Sequence, residues 1–436
     1  MLHGGEIYDT QAVRYDFSVN INPLGIPDMV RGALVGALDS LTQYPDQECR
    51  ALRQALAQYT GVPADRILCG NGASELIEAA VRALHPGNIL LTAPSFSGYR
   101  HAAEGAGVEI RYHMLRREED FALTDRYLED LTPDTDMAIL CSPANPVGNL
   151  IEPDLLTRIV RTCEEREIWL MVDECFLGFV SDEEARTTRR FLEPRGRFSG
   201  PLGKRGEEPR GRFSGPFGDQ EEEPGGRFSG PLGEQEENPE GRFSDSSCRT
   251  PEDRNRPARH LLVLDAFTKR FAMPGIRLGY LMAADPAVLQ QIHAQQPEWS
   301  VSLPAQAAGC AALAAEGIKA YEMEAKRSNA ISTDAISTDA KSSEGTYLEA
   351  ARHMIASERR KMVKALAEMG CRVFPGNANF IFFSSEKELY RRLLARGFLI
   401  RNCDNYPGLG RGDYRIAVLR PEQNDALLQA MREILG

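Results

Sequence analysis

The chain has 436 residues, 42% of them hydrophobic, and a net charge of −12. That is enough apolar material for a large core and a second, smaller domain. The acidic balance without a basic stripe argues against a nucleic-acid partner, and no apolar run is long enough to span a membrane. Nine cysteines lack C-x-x-C spacing, and several sit inside apolar runs. They suit reduced core thiols of a cytoplasmic protein better than disulfides or a metal site. The N-terminus, MLHGGEIYDT, has neither the charged nor the apolar region of a secretory signal.

From 60 to 190, apolar strand-like runs alternate with amphipathic helical patterns. ILCG (67–70) leads into a helix from Ala73 to Leu84, and NILLTAP (88–94) into a helix near 98–105. VEIRYHML (108–115) and DMAILCSPANP (136–146) are further strands. PDLLTRIVRTCEERE (153–167) is a helix, and IWLMVDECF (168–176) a buried strand. Continuous apolar strands separated by helices predict a mostly parallel sheet covered on both faces, an α/β fold with ligands at the carboxyl ends of the strands.

The pattern breaks at 186–258. Units beginning GRFS recur from Gly196, Gly211, Gly226 and Gly241, rich in Gly, Pro, Arg and Glu. Such a composition buries too little apolar surface to offset its entropy, which predicts a disordered surface insertion. A low-complexity tract at 328–345 reads similarly. HLLVLDAFTKRFAMPGIRLGYLMA (260–283) resumes the sheet. Helices are then predicted at 286–296, 305–317 and 351–370, strands at 371–383, 397–403 and 414–419, and a closing helix at 424–435. The division is an arm (1–43), a large domain (44–290) and a smaller α+β domain (291–436).

The candidate chemical residues fall at the predicted strand ends. Lys269 follows a buried strand, with Thr268 before it and Arg277 beyond a Pro-Gly turn. This suits a lysine that bonds a cofactor covalently beside a phosphate pocket. Asp173 closes IWLMVD, where a buried carboxylate needs a cationic partner such as a protonated pyridine nitrogen. Asn145, in SPANPVGN, offers an amide to a phenolic oxygen. Gly70 and Gly72 precede a helix start at Ala73 and Ser74, whose free N–H groups attract phosphate. Phe96, in APSFSGY, is placed to stack on a planar ring.

In this order the segments resemble the fold-type I pyridoxal-phosphate (PLP) enzymes, the aspartate aminotransferase superfamily, over essentially the whole chain outside 186–258 and 328–345. The resemblance implies that Lys269 carries the cofactor, Asp173 pairs with its pyridine nitrogen, Asn145 contacts its ring oxygen and Phe96 stacks on the ring. Gly72, Ala73, Ser74, Thr268 and Arg277 would hold the phosphate. Tyr44 would reach the neighbouring subunit's phosphate, implying a homodimer. Arg415 would clamp a substrate α-carboxylate with two parallel hydrogen bonds. The sequence departs from the family pattern at Glu6, Val147, Phe176 and Ala266. Ala266 stands where a hydroxyl residue is common ahead of the lysine, so one phosphate contact is lost.

The similar branch includes histidinol-phosphate aminotransferases and threonine-phosphate decarboxylases. HGGE (3–6), DFSVNINPLGIP (16–27), EWSVS (298–302) and RNCDNYPGLGRGDYRIAV (401–418) look like the latter. This implies decarboxylation of L-threonine O-3-phosphate to (R)-1-aminopropan-2-ol O-phosphate for cobalamin biosynthesis. The substrate phosphate would lie near His3, Gly4, Gly5 and Asn22, with no metal. The alternative is a histidinol-phosphate aminotransferase dependent on 2-oxoglutarate.

Overall fold

The computed structural model describes Gly5 and residues 13–193, 256–316 and 346–436. Thirteen strands occur there: β1 (Tyr15–Asp16), β2 (Ile67–Gly70), β3 (Asn88–Ala93), β4 (Glu109–Met114), β5 (Met137–Cys141), β6 (Trp169–Asp173), β7 (Leu261–Ala266), β8 (Gly279–Ala283), β9 (Arg372–Val373), β10 (Phe380–Ser384), β11 (Phe398–Leu399), β12 (Arg401–Asn402) and β13 (Asp413–Ala417). The large sheet has seven strands in the order β2-β8-β7-β6-β5-β3-β4. The ladder from β4 through β3, β5 and β6 to β7 is parallel, whereas β8 is antiparallel to both its neighbours. The reason lies in the connections. Helices link the parallel strands, but only residues 267–278 join β7 to β8, and so short a return favours an antiparallel neighbour.

Both faces of this sheet are buried. Along β7, Leu262 and Leu264 enter one apolar cluster while Leu261 and Val263 enter another. That two-sided burial is why the strands read as unbroken apolar runs. The helix Ala73–Leu84 turns Leu76, Ile77, Ala80 and Val81 inward, and Pro153–Glu165 does the same with Leu155, Leu156, Ile159 and Val160.

The smaller sheet, β12-β13-β10-β9, is antiparallel and is covered by helices Tyr347–Glu368 and Pro421–Leu435. The strand expected at 397–403 splits at Ile400. Its first half, β11, pairs in parallel with β1 of the N-terminal arm, and its second half, β12, joins the small sheet.

The expectation of a disordered insertion beginning at 186 is corrected at its edges. Glu183–Arg186 and Thr188–Phe191 are helical turns, and Thr187, Thr188, Arg189 and Leu192 are buried. Thr187 and Thr188 donate to the buried Glu174 carboxyl, so this stretch serves polar groups of the core. The GRFS repeats and the tract at 328–345 lie outside the described residues. All described cysteines are free thiols, most of them buried. No described helix is long and apolar enough to cross a membrane.

Candidate active site

Phe96, Asn145, Asp173 and Lys269 project from the carboxyl ends of β3, β5, β6 and β7. The ladder fixes their spacing, with Cys141 opposite Asp173 and Asp173 opposite Leu264. Asp173 is buried. Its Oδ2 accepts from the Tyr99 hydroxyl at 2.6 Å and its Oδ1 from the Cys175 N–H at 2.9 Å. No ion pair to Asp173 occurs among the described residues, and its oxygens retain acceptor capacity for one more donor. A pyridinium N–H fits that need. Tyr99 is fully buried, so its phenol is pushed well above its ordinary range and stays a donor. The Phe96 ring meets Tyr99 edge-on at 5.5 Å.

Lys269 is half-buried on the short helix Phe267–Arg270. Burial, then the guanidinium charges of Arg415 and Arg277, push its amine down to about 8, against the opposing pull of Cys175 and Asp173. An amine in that range is partly neutral at physiological pH and can attack an aldehyde carbon.

The candidate phosphate cradle is assembled from three elements. Gly72 caps the helix Ala73–Leu84 with φ of 83° and offers no side-chain cap. A Cβ on Gly72 would lie 2.7 Å from an Arg277 guanidinium nitrogen. Arg277 therefore brings a positive charge to the positive end of a helix, an arrangement that calls for an anion between them. The hydroxyls of Ser74 and Thr268 have no hydrogen-bond partner among the described residues. Gly70, Asn71 and Gly72 are held from behind, since Gln296 donates to the Cys69 carbonyl and Glu75 accepts from the Asn71 N–H. The residues present fit PLP.

Arg415, on β13, is buried and points into the same place. Its guanidinium donates to Asn145 Oδ1 and to the Ser18 carbonyl at 2.6 Å, and stands 5.3 Å from the Phe380 ring. With its amide oxygen turned inward, Asn20 accepts from Nη1 at 3.2 Å and Nε at 3.3 Å. Ser18 also accepts from the Gly5 N–H at 2.8 Å, which places Gly5 beside the arginine. His3 and Gly4 lie outside the described residues.

Asn22 and Tyr44 have the following surroundings within one chain. Asn22 is fully buried, and its amide donates to the Arg270 carbonyl at 2.9 Å and accepts from the Leu24 N–H. Its backbone N–H donates to the Lys269 carbonyl. Through these bonds Asn22 shapes the lysine turn. Tyr44 is 79% exposed and packs on Trp299 at 4.8 Å, so within one chain it is a surface residue.

Sequence reasoning missed Arg401. On β12 it lies directly opposite Arg415, and opposed residues of an antiparallel pair share a face. It is buried, donates to Asn405 at 3.1 Å and covers the Tyr406 ring at 5.1 Å. A cleft lined by Arg100, Tyr112, Arg401 and Tyr406 joins it to Phe96. The motif RNCDNYPGLGRGDYRI holds both arginines, but only strand register shows that they are neighbours. Tyr99 was equally visible, three residues after Phe96, without a sign that it would meet Asp173.

Residues 14–199 and 244–431 match the aminotransferase class I and II family. The chain belongs to this family, whose cofactor is pyridoxal phosphate. Among characterised relatives it is 32% identical to threonine-phosphate decarboxylase of Salmonella typhimurium (strain LT2), over 99% of this chain and 96% of that one. It is 29% identical to histidinol-phosphate aminotransferase of Desulfitobacterium hafniense (strain Y51), over 97% and 92%. The fold matches the crystal structure of histidinol-phosphate aminotransferase from Clostridium acetobutylicum, with TM-score 0.69, 24% identity and coverage of 96% and 98%. The same enzyme from Sinorhizobium meliloti, solved in complex with pyridoxal-5'-phosphate, matches with TM-score 0.65, 18% identity and coverage of 96% and 89%.

Proposed function

We propose that this protein decarboxylates L-threonine O-3-phosphate to (R)-1-aminopropan-2-ol O-phosphate. The observation that carries this reading is the pair Arg415 and Arg401, opposed on β13 and β12, with Arg401 lining one cleft with Phe96. Two buried guanidiniums side by side suit an amino acid with two anionic ends, a carboxylate and a phosphate. The similarity to a threonine-phosphate decarboxylase across nearly the whole chain supports the same substrate.

Gly72, Ala73, Ser74, Thr268 and Arg277 hold the cofactor phosphate in this reading. Asp173 meets the pyridine nitrogen, Asn145 the ring oxygen, Phe96 the ring face and Lys269 the aldehyde carbon. When bound, the cofactor supplies an electron sink for the bond that breaks. The protein's task is to choose that bond by orientation. Arg415 grips the carboxylate and Arg401, with Arg100 nearby, the phosphate, so the amino acid is held at both ends and cannot turn. The Lys269 amine, once free, is placed to return a proton to Cα. Gly5 would border the carboxylate end through Ser18. The exposed Tyr44, with Val35, Leu38 and Leu41, forms the face we assign to a second copy of the chain. Sedimentation at micromolar concentration is expected to give a dimer, and a monomer would remove that assignment.

The deciding experiment is CO2 release from PLP-loaded protein and L-threonine O-3-phosphate with no 2-oxo acid present. Catalytic release is expected. The relative of Desulfitobacterium hafniense supports a second reading, amino transfer from histidinol phosphate. That reading would be upheld by turnover only after 2-oxoglutarate is added. Arg401→Gln is expected to raise KM for the phosphorylated substrate roughly ten- to a hundredfold, the effect of losing a hydrogen bond to a charged group. A KM unchanged in that variant would place the phosphate elsewhere.

A further inference from the structure

Lys269 is followed by Arg270, whose guanidinium is buried beneath the lysine turn. Its Nη2 donates to Asp265 Oδ2 at 2.8 Å and to Glu183 Oε1 at 2.8 Å, and its Nη1 donates to Glu183 Oε2 at 3.2 Å and to the Tyr59 hydroxyl at 2.9 Å. A Cβ on Gly178 would lie 2.6 Å from Arg270 Cζ, so the passage of this side chain requires a glycine there. Asn22 holds the carbonyls of both Lys269 and Arg270 from the other side. The turn carrying the lysine is thus clamped at main chain and side chain.

Glu183 is shared. Its Oε2 also accepts from Arg352 Nη2 at 2.6 Å, and Arg352 Nε donates to the Gly178 carbonyl at 2.8 Å. Burial opposes the charge on Glu183, but the guanidiniums of Arg270, Arg189 and Arg352 overcome it and hold the carboxyl down to about 2. Glu183 is an anion throughout the working pH range. Arg352 sits on the helix Tyr347–Glu368, which bridges the two sheets. Tyr347 and Leu348, at its start, pack in a cluster with β7 residues Leu261 and Val263, while Met362, Ala365 and Leu366 pack with β10 residues Phe380 and Ile381. Two turns beyond Arg352, Arg359 donates to the Phe380 carbonyl, and the Phe380 ring lies against Arg415.

We propose that Glu183 is a positioning residue that locks the Lys269–Arg270 turn to the helix carrying the small sheet. The cofactor-bonding lysine and the two substrate-facing arginines are then set as one unit. The proposal rests on the reading of Lys269 and Arg415 above. Glu183 touches neither cofactor nor substrate and acts through Arg270 on one side and Arg352 on the other.

The test is a double-mutant cycle in the full-length, PLP-loaded protein with Arg352→Gln, Glu183→Gln and both. The readouts are the rate of PLP loss on dilution and the pH midpoint of the bound cofactor's visible band. Arg352→Gln is expected to speed PLP loss roughly threefold to tenfold, the scale of coupling between residues sharing one ion-pair network. In the Glu183→Gln background the same change is expected to add clearly less, since only the Arg352 bond to the Gly178 carbonyl is then left to lose. Effects that multiply in the double variant would overturn the proposal. So would an Arg352→Gln protein of lower thermal midpoint with both cofactor readouts unchanged, because that is a purely structural role. If Glu183→Gln does not fold, Arg352→Lys replaces it: the retained charge is expected to restore both readouts, and no recovery overturns the lock. Borohydride trapping and peptide mapping separate the two levels. An adduct away from Lys269 removes the underlying reading and this proposal with it; an adduct on Lys269 with multiplying effects removes the lock alone.

Discussion

Lys269 owes its chemistry to its surroundings. Burial and two guanidiniums lower its amine to about 8 from an ordinary value above ten. Only the neutral amine attacks an aldehyde, so capture of PLP by the apoprotein is expected to accelerate with pH, about tenfold per unit below pH 8, and to level off above it. Stopped-flow growth of the visible band reads this directly. A plateau reached only near pH 10 would mean a lysine of ordinary basicity. The lysine, Asp173, Asn145 and Phe96 were legible in the sequence because each ends or closely follows a strand whose apolar run is unmistakable. Arg401 and the true partners of Asn22 were not, because both depend on contacts between segments far apart in the chain.

Among the elements, the start of the helix Ala73–Leu84 shows how local geometry prepares a site. Gly72 combines a φ of 83° with an Arg277 guanidinium where a Cβ would stand. Gly72→Ala therefore meets backbone strain of about 1–3 kcal/mol and displaces the arginine. PLP affinity is expected to fall about tenfold or more while the fold persists, read by fluorescence titration of the apoprotein. Gly105→Ala is the control, since a Cβ there meets nothing within 4 Å. An equal loss in both variants would sever the link between Gly72 and the phosphate. At this scale the sequence predicted most strands and helices, since unbroken apolar runs and an apolar period of 3.6 are local properties. It joined β11 and β12 into one strand, because the arm that captures Phe398 and Leu399 starts nearly four hundred residues earlier.

For the whole molecule, the repeats interrupt the chain without separating its ends. The Ala258 N–H donates to the Phe191 carbonyl at 2.8 Å, so the two sides of the insertion meet at its base. Replacing residues 194–255 with a short Gly-Ser linker is expected to leave CO2 release within about twofold of the full chain, because shortening a loop already closed at its base lowers its closure entropy by only about 0.6 kcal/mol per halving. A loss of turnover with the fold intact would show that the repeats contribute to function. By itself the sequence determined the α/β class, because burial on both faces of a sheet writes long apolar runs, and its ordered motifs carried the family resemblance that implied the cofactor. Tertiary structure alone decided that Arg401 stands opposite Arg415, that Tyr99 meets Asp173, and that Glu183 joins Arg270 to Arg352. Those pairings arise from sheet register and from ion pairs between distant segments, and neither leaves a periodic trace along a single chain.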